Sequence, residues 1–146
     1  MASRASVVGP ARRAAFQVLQ CVFEDGAYAD RVLRSAGVGL DSRDRALAQR
    51  LSFGAVQRVR TLDHAIETLG RRRVARLDPP VRAALRLGAY QLGFVDGVPR
   101  YAAVNESVEL VRAAGLERAV PFTNAVLRRL SEGMRPLLAA LPETTA

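Results

Sequence analysis

The stretch LDPPVRAALRLGAYQLGF, Leu77 to Phe94, decides the fold. Asp78-Pro79-Pro80 is a helix start: an aspartate able to cap open N–H groups, followed by prolines whose fixed φ suits a first turn. Downstream, Val81, Ala84, Leu85, Gly88 and Leu92 fall on one stripe at helical spacing, and Leu87, Tyr90 and Phe94 fall on a second. A helix that is apolar on two sides has to be covered on both, so this one is predicted to sit centrally between two groups of helices. Gly88, despite a cost of about 1 kcal/mol relative to Ala, implies that a neighbouring backbone passes close by.

Upstream, Gly9-Pro10 opens a first helix with Ala11, Ala14, Ala15, Val18, Leu19 and Val22 on its inner side, and Asp25-Gly26 ends it. Its opposite face carries Arg13, Gln17 and Gln20, with Arg12, Phe16 and Phe23 along one flank. Ala29, Val32, Leu33 and Ala36 form a short second helix closed by Gly37 and Gly39, and Asp41 or Ser42 caps a third built on Leu47, Ala48, Leu51 and Ala55. Continuing that third stripe would bury Arg58 without a partner, which is costly. The chain is therefore expected to break between Gln57 and Thr61, with Leu62, Ala65, Ile66 and Leu69 starting a fourth helix.

Gly70 to Arg76 reads as a polar loop holding Arg71, Arg72 and Arg73. Beyond the central helix, Asp96-Gly97-Val98-Pro99 is a turn, and Tyr101, Val104, Val108 and Val111 make the inner stripe of a sixth helix ending near Gly115. Pro121 starts a seventh, in which Phe122, Val126, Leu127 and Leu130 face inward. Arg128 and Arg129 project from its last turn, where positive charge suits the helix dipole. The expected organisation is a flexible N-terminus over 1–9, an all-α domain of about seven helices over 10–133, and a C-terminal tail or linker over 134–146.

The chain has 146 residues, about half of them apolar and a quarter charged, which suits one domain and leaves no room for a second catalytic one. No uncharged stretch approaches the roughly 18 residues of a membrane span, and Met1 to Arg13 has no apolar signal region, so no membrane partner and a cytoplasmic location are expected. The balance of 22 basic against 14 acidic side chains leaves +8, which favours a polyanionic partner. Every basic residue is arginine. Codon bias accounts for choosing arginine over lysine but not for the excess of positive charge; a charged surface serving solubility is the alternative.

No active site is legible. Gly37-Val38-Gly39 lies between helices rather than after a strand, so it cannot cradle a dinucleotide. Asp63 and His64 are adjacent, about 100° apart on a helix, with no serine or cysteine recognisably placed to complete a triad. Glu106 and Glu109 share a helix face and read as solvated rather than as an acid–base pair. Cys21 is a small packing residue, and one cysteine with one histidine cannot make a structural zinc site. No cofactor and no metal are expected.

Five blocks in order carry a family resemblance: ARRAAFQVLQCVFEDGAYAD from Ala11, DRALAQRLSFGAVQRVRTLDHAIE from Asp44, LDPPVRAALRLGAYQLGF from Leu77, AAVNESVELVR from Ala102 and NAVLRRL from Asn124. Together they resemble the NusB-like RNA-binding fold, and more closely the NusB-like N-terminal domain of Sun/Fmu (RsmB-type) ribosomal RNA cytosine-C5 methyltransferases. The resemblance implies two helical subdomains around a central helix and a non-catalytic module that positions rRNA or its precursor. In those enzymes the S-adenosylmethionine site and two catalytic cysteines lie in a C-terminal domain, and Cys21 matches neither cysteine. Stand-alone NusB antitermination factors, which pair with a small-subunit ribosomal protein, tend to carry aspartate where this chain has Arg128. A methyltransferase domain or such a ribosomal protein is thus the implied protein partner.

For RNA contact, the resemblance points to the first helix, where Arg12, Arg13, Gln17 and Gln20 lie, and to Arg128 and Arg129 on the last. Guanidinium groups grip phosphates in pairs of hydrogen bonds and stack on bases, and glutamine amides read unpaired base edges. Phe16 is a candidate stacking face, set against packing on another helix. Asn105 and Asn124 are expected to be buried and bonded to backbone between helices. A helical protein-interaction module without RNA binding remains the third reading.

Overall fold

The computed structural model describes residues 8–142. Among them the chain forms seven α-helices and no strand: α1 (Pro10–Asp25), α2 (Ala29–Ala36), α3 (Ser42–Gln57), α4 (Val59–Gly70), α5 (Pro79–Phe94), α6 (Arg100–Ala113) and α7 (Val120–Ala140), with single 3-10 turns at Val74–Arg76 and Glu117–Ala119. The boundaries follow the local chemistry. Pro10 occupies the first turn of α1, and Gly26 ends it in the left-handed conformation at φ 69°, which a residue with a Cβ adopts only at a cost. Asp41 caps α3 by accepting the Asp44 N–H at 2.8 Å. The predicted break falls at Arg58, whose φ of −109° separates α3 from α4. Its guanidinium turns outward to lie 4.3 Å from the centre of the Phe94 ring, a cation–π contact in place of burial.

Helix α5 is the hub. It packs against α1, α3, α4, α6 and α7, and Val81 and every residue from Ala83 to Leu92 are buried. That exceeds the two stripes expected, because Arg86 and Gln91 are buried as well. One large core surrounds α5, and a smaller one gathers Ala11, Ala14, Val18, Leu33 and Ala48 between α1, α2 and α3. Helix α1 thus buries two adjoining stripes, Ala14 and Val18 toward the small core, Ala15 and Leu19 toward the large one. Among the described residues no helix is long and apolar enough to cross a membrane.

Glycines set how closely the helices approach. A Cβ on Gly88 would lie 2.5 Å from Leu127 Cδ2 and 3.0 Å from Ser107 Oγ. The close neighbours are therefore side chains of α6 and α7, not the backbone the sequence implied. Gly54 makes a tighter fit: its Cβ would fall 2.1 Å from the Tyr90 hydroxyl, so α3 accepts the Tyr90 ring only because no side chain is there. The Tyr90 ring in turn stacks on Phe94, centroids 5.6 Å apart.

The C-terminal boundary differs from expectation. Residues 134–140 are not a tail but the last two turns of α7, which runs through Gly133 and Pro136. Met134 is fully buried, and Met134 and Leu138 close over the bare backbone of Gly93 on α5. Arg135 donates from Nε to the Leu92 carbonyl at 3.0 Å and from Nη2 to Asp96 at 3.0 Å, satisfying the open carboxyl end of α5. Packing of this kind outweighs the helix-breaking tendency of one glycine and one proline. At the other end, Val8 is packed into the large core, so the N-terminal segment expected over 1–9 is anchored at its last residues; positions 1–7 and 143–146 lie outside the described residues.

The polar groups of α5 are matched by inward-facing partners. Arg86 donates from Nε and Nη2 to both carboxylate oxygens of Asp63 on α4, at 2.8 and 2.9 Å, while its guanidinium covers the Phe23 ring of α1 at 4.4 Å. Arg82 binds Glu24 on α1 through Nη2 at 2.8 Å and donates to the Val74 and Leu77 carbonyls at 3.0 Å. These clasps join α1 and α4 to the hub.

Two predictions follow from the packing. An alanine in an ordinary helix gains stability over glycine, but Gly54→Ala is expected to lose roughly 1–3 kcal/mol through overpacking; an unchanged midpoint in a urea melt would show that Tyr90 yields freely. Asp63→Asn leaves the Arg86 charge uncompensated and is expected to cost about 3 kcal/mol in the same melt. The double variant Asp63→Leu/Arg86→Met recovers most of that loss, since an apolar pair carries no desolvation penalty.

Candidate nucleic-acid interface

The sequence-predicted residues fall in three places. On α1, Arg13 and Gln17 are exposed and Gln20 is partly exposed, at spacings of four and three residues that align them on one outer face. Arg12 is set apart from them. Its Nε donates to Gln91 Oε1 at 2.8 Å and lies 3.3 Å from Glu106 Oε2 on α6, and its side chain is 17% exposed. The guanidinium is thus a strut between α1, α5 and α6 with its charge offset by a carboxylate, rather than an open cation. Phe16 is partly buried and packs against the large core, which favours its packing role over a stacking face.

Arg128 and Arg129 are both exposed but point about 100° apart around α7, as adjacent residues on a helix must. Arg128 faces a groove shared with α6, where Tyr101, Asn105 and Asn124 join it. Arg129 faces the opposite groove with Leu69, Arg71 and Glu132, against α4. The loop after α4 is docked there too. Arg71 adopts φ 56° and ends α4 by donating its N–H to the Glu67 carbonyl at 3.0 Å. Arg72 lies over the Phe122 ring at 4.7 Å, and Glu67 Oε2 accepts the Val74 N–H at 2.9 Å.

Several expectations about α6 change. Tyr101, assigned to the inner stripe, is 72% exposed: it sits in the first turn, beyond the edge of the core that begins at Ala103 and Val104. Asn105 is exposed and Asn124 partly exposed, and neither side chain has a hydrogen-bond partner among the described residues. They are not buried structural asparagines. Glu106 and Glu109 do not form a solvated face either. Glu106 holds Arg12, and Glu109 pairs with Arg112, which also reaches Glu117 at 3.0 Å. Asp63 is taken up by Arg86, and Cys21 is a free, partly buried thiol. The buried ion pairs escaped sequence reasoning, although Arg86 standing between Leu85 and Leu87 in an apolar run was a usable signal.

The consequence for charge is direct. Glu24, Asp63, Asp96, Glu106, Glu109 and Glu117 are each engaged by an arginine. Arg13, Arg128 and Arg129 have no carboxylate partner among the described residues. Unpaired arginines lie on other elements too, but Arg13 on the outer face of α1 and Arg128 and Arg129 on α7 are exposed and carry groups suited to binding anions and stacking on planar rings.

Comparison with known proteins agrees with this architecture. The chain matches the NusB family over residues 9–132. It is 39% identical over 121 residues to a protein of Synechocystis sp. named "Probable ribosomal RNA small subunit methyltransferase B", covering 82% of this chain and 27% of that protein. It is 34% identical to the transcription antitermination protein NusB of Halorhodospira halophila, covering 80% of this chain and 78% of that protein. The chain therefore spans about a quarter of the methyltransferase relative and most of the antitermination one. A crystal structure of the antitermination factors NusB and NusE in complex with dsRNA superposes with a TM-score of 0.79 at 26% identity, over 85% of this chain and 95% of that one. With the family matched across both helical groups and the central helix, the chain belongs to the NusB family.

Proposed function

We propose that this NusB domain is a non-catalytic RNA-binding module that positions ribosomal RNA or its precursor in the cytoplasm, as the accessory N-terminal part of an rRNA cytosine-C5 methyltransferase. The observation that carries the reading is that, in a chain of net charge +8, Arg13, Arg128 and Arg129 are exposed on α1 and α7 with no carboxylate partner among the described residues. Nothing in such a surface moves protons or forms bonds. Its work is affinity, with phosphate contacts from the arginines and base-edge contacts from Gln17 and Gln20. In this reading Arg12 contributes by fixing α1 against α6, so that Arg13 and Gln17 are presented at a set angle.

A second reading, a stand-alone antitermination factor working with a small-subunit ribosomal protein, is favoured by the 34% identity kept across 78% of the Halorhodospira antitermination protein. Competition separates the two. An rRNA fragment outcompeting a short leader element, with no gain on adding the ribosomal protein, supports the methyltransferase reading. A tenfold gain with that protein supports antitermination.

Filter binding across a salt series tests RNA binding itself. For a single strand the log–log slope steepens by about 0.7 for each phosphate neutralised, so Arg13→Ala is expected to flatten it by about that amount with an unchanged melting midpoint. Arg12→Ala is expected to do the reverse, costing about 1–2 kcal/mol of stability with little change in slope. An affinity indifferent to salt would remove RNA as the partner.

A further inference from the structure

We propose that the groove between α6 and α7 holds one unpaired base of the bound RNA strand, stacked on Tyr101, read at its edge by Asn105 and Asn124, and followed by a phosphate on Arg128. The inference rests on the RNA-binding reading above and adds a second contact region to the α1 face. Two contiguous cavities of about 380 and 440 Å³ run along the groove and share Asn105, Asn124 and Arg128, a size range suited to small planar ligands. Tyr101 stands at one end with 72% of its surface in solvent, and Asn105 follows one turn later on the same helix. Asn124 and Arg128 are likewise one turn apart on α7, and Val104 lines the same cavity.

The side chains are free for the task. Neither asparagine has a hydrogen-bond partner, and Arg128 has no carboxylate partner, among the described residues. A primary amide offers a donor and an acceptor together, the pattern found on the edge of an unpaired base. An aromatic ring in solvent gives a sequence-tolerant stacking face. Each end of the groove carries a carboxylate, Glu132 beside Tyr101 and Glu109 at the far end. Glu109 is paired with Arg112, whereas Glu132 has no arginine partner among the described residues, which disfavours a phosphate at the Tyr101 end and leaves it to the base. The location fits a continuous strand. The Arg12–Glu106 pair links α1 to α6 side chain to side chain, so α1 and this groove lie on different sides of α6, a helix about 10–12 Å across.

The test uses the intact chain and a single-stranded rRNA fragment carrying 4-thiouridine. Tyr101→Ala is expected to weaken binding about tenfold, within the range of one lost base stack, with the salt slope and melting midpoint unchanged; Tyr101→Phe retains wild-type affinity. Arg128→Ala is expected to flatten the slope by about 0.7. Asn105→Ala/Asn124→Ala is expected to lose preference for one base at one position, and the crosslink is expected on the peptide containing Tyr101. Wild-type affinity in Tyr101→Ala, alongside weakened binding in Arg13→Ala, would overturn the groove assignment and leave the RNA reading standing. If Tyr101→Ala instead impairs binding of a purified small-subunit ribosomal protein and not RNA, the groove is a protein site and the assignment fails. Wild-type protein without salt-dependent RNA binding would remove both.

Discussion

Helix α5 has almost no surface of its own, so each polar group it carries needs a partner inside the protein. Asp63 from α4 meets Arg86, Glu24 from α1 meets Arg82, and Arg12 from α1 meets Gln91 together with Glu106 from α6. Apolar packing already interlocks the helices, with Tyr90 seated on Gly54 and Leu127 on Gly88. The charged clasps reinforce their register, because a displaced helix would strand a guanidinium or a carboxylate away from water. The outer face of α1 is thereby aimed by contacts on its inner side.

The same clasps determine which charges reach solvent. A protein with this arginine content could carry a uniformly mixed surface. Here six acidic side chains are drawn into arginine pairs, several of them between helices, and the arginines left without carboxylate partners among the described residues include Arg13 on α1 and Arg128 and Arg129 on α7. Which guanidinium groups near the hub a polyanion could meet is therefore set in part by how the hub is satisfied. Arg12 and Arg13, neighbours in sequence, illustrate the division: the roughly 100° between adjacent helix positions sends the first to Glu106 and the second to water.

Much of the fold was legible because its signals are local. Pro10 and Gly26 mark α1, Asp41 starts α3, and Arg58 betrays the break before α4, each by chemistry acting within a few residues. What was not legible depends on distant partners. Gly133 and Pro136 read as an end, yet Gly93 and the open carbonyls of α5 hold the helix together across them. Tyr101 shares the period of a buried stripe but lies past the rim of the core, and periodicity carries no information about where a core stops. Asn105 and Asn124 looked structural because amides usually are. The pairing of Arg12 with a carboxylate on α6 has no counterpart in the sequence pattern at all.

The double burial of α1 also bears on the order of assembly. Its Ala14 and Val18 stripe can close over α2 and α3 as soon as those helices exist, forming the small core from the first third of the chain. Its Ala15 and Leu19 stripe has to wait for α5. At about 5–20 residues per second that leaves greasy surface uncovered for a few seconds on a nascent polypeptide. The early helices thus leave the ribosome as a half-finished unit, open to chaperones, until α5 arrives and completes it.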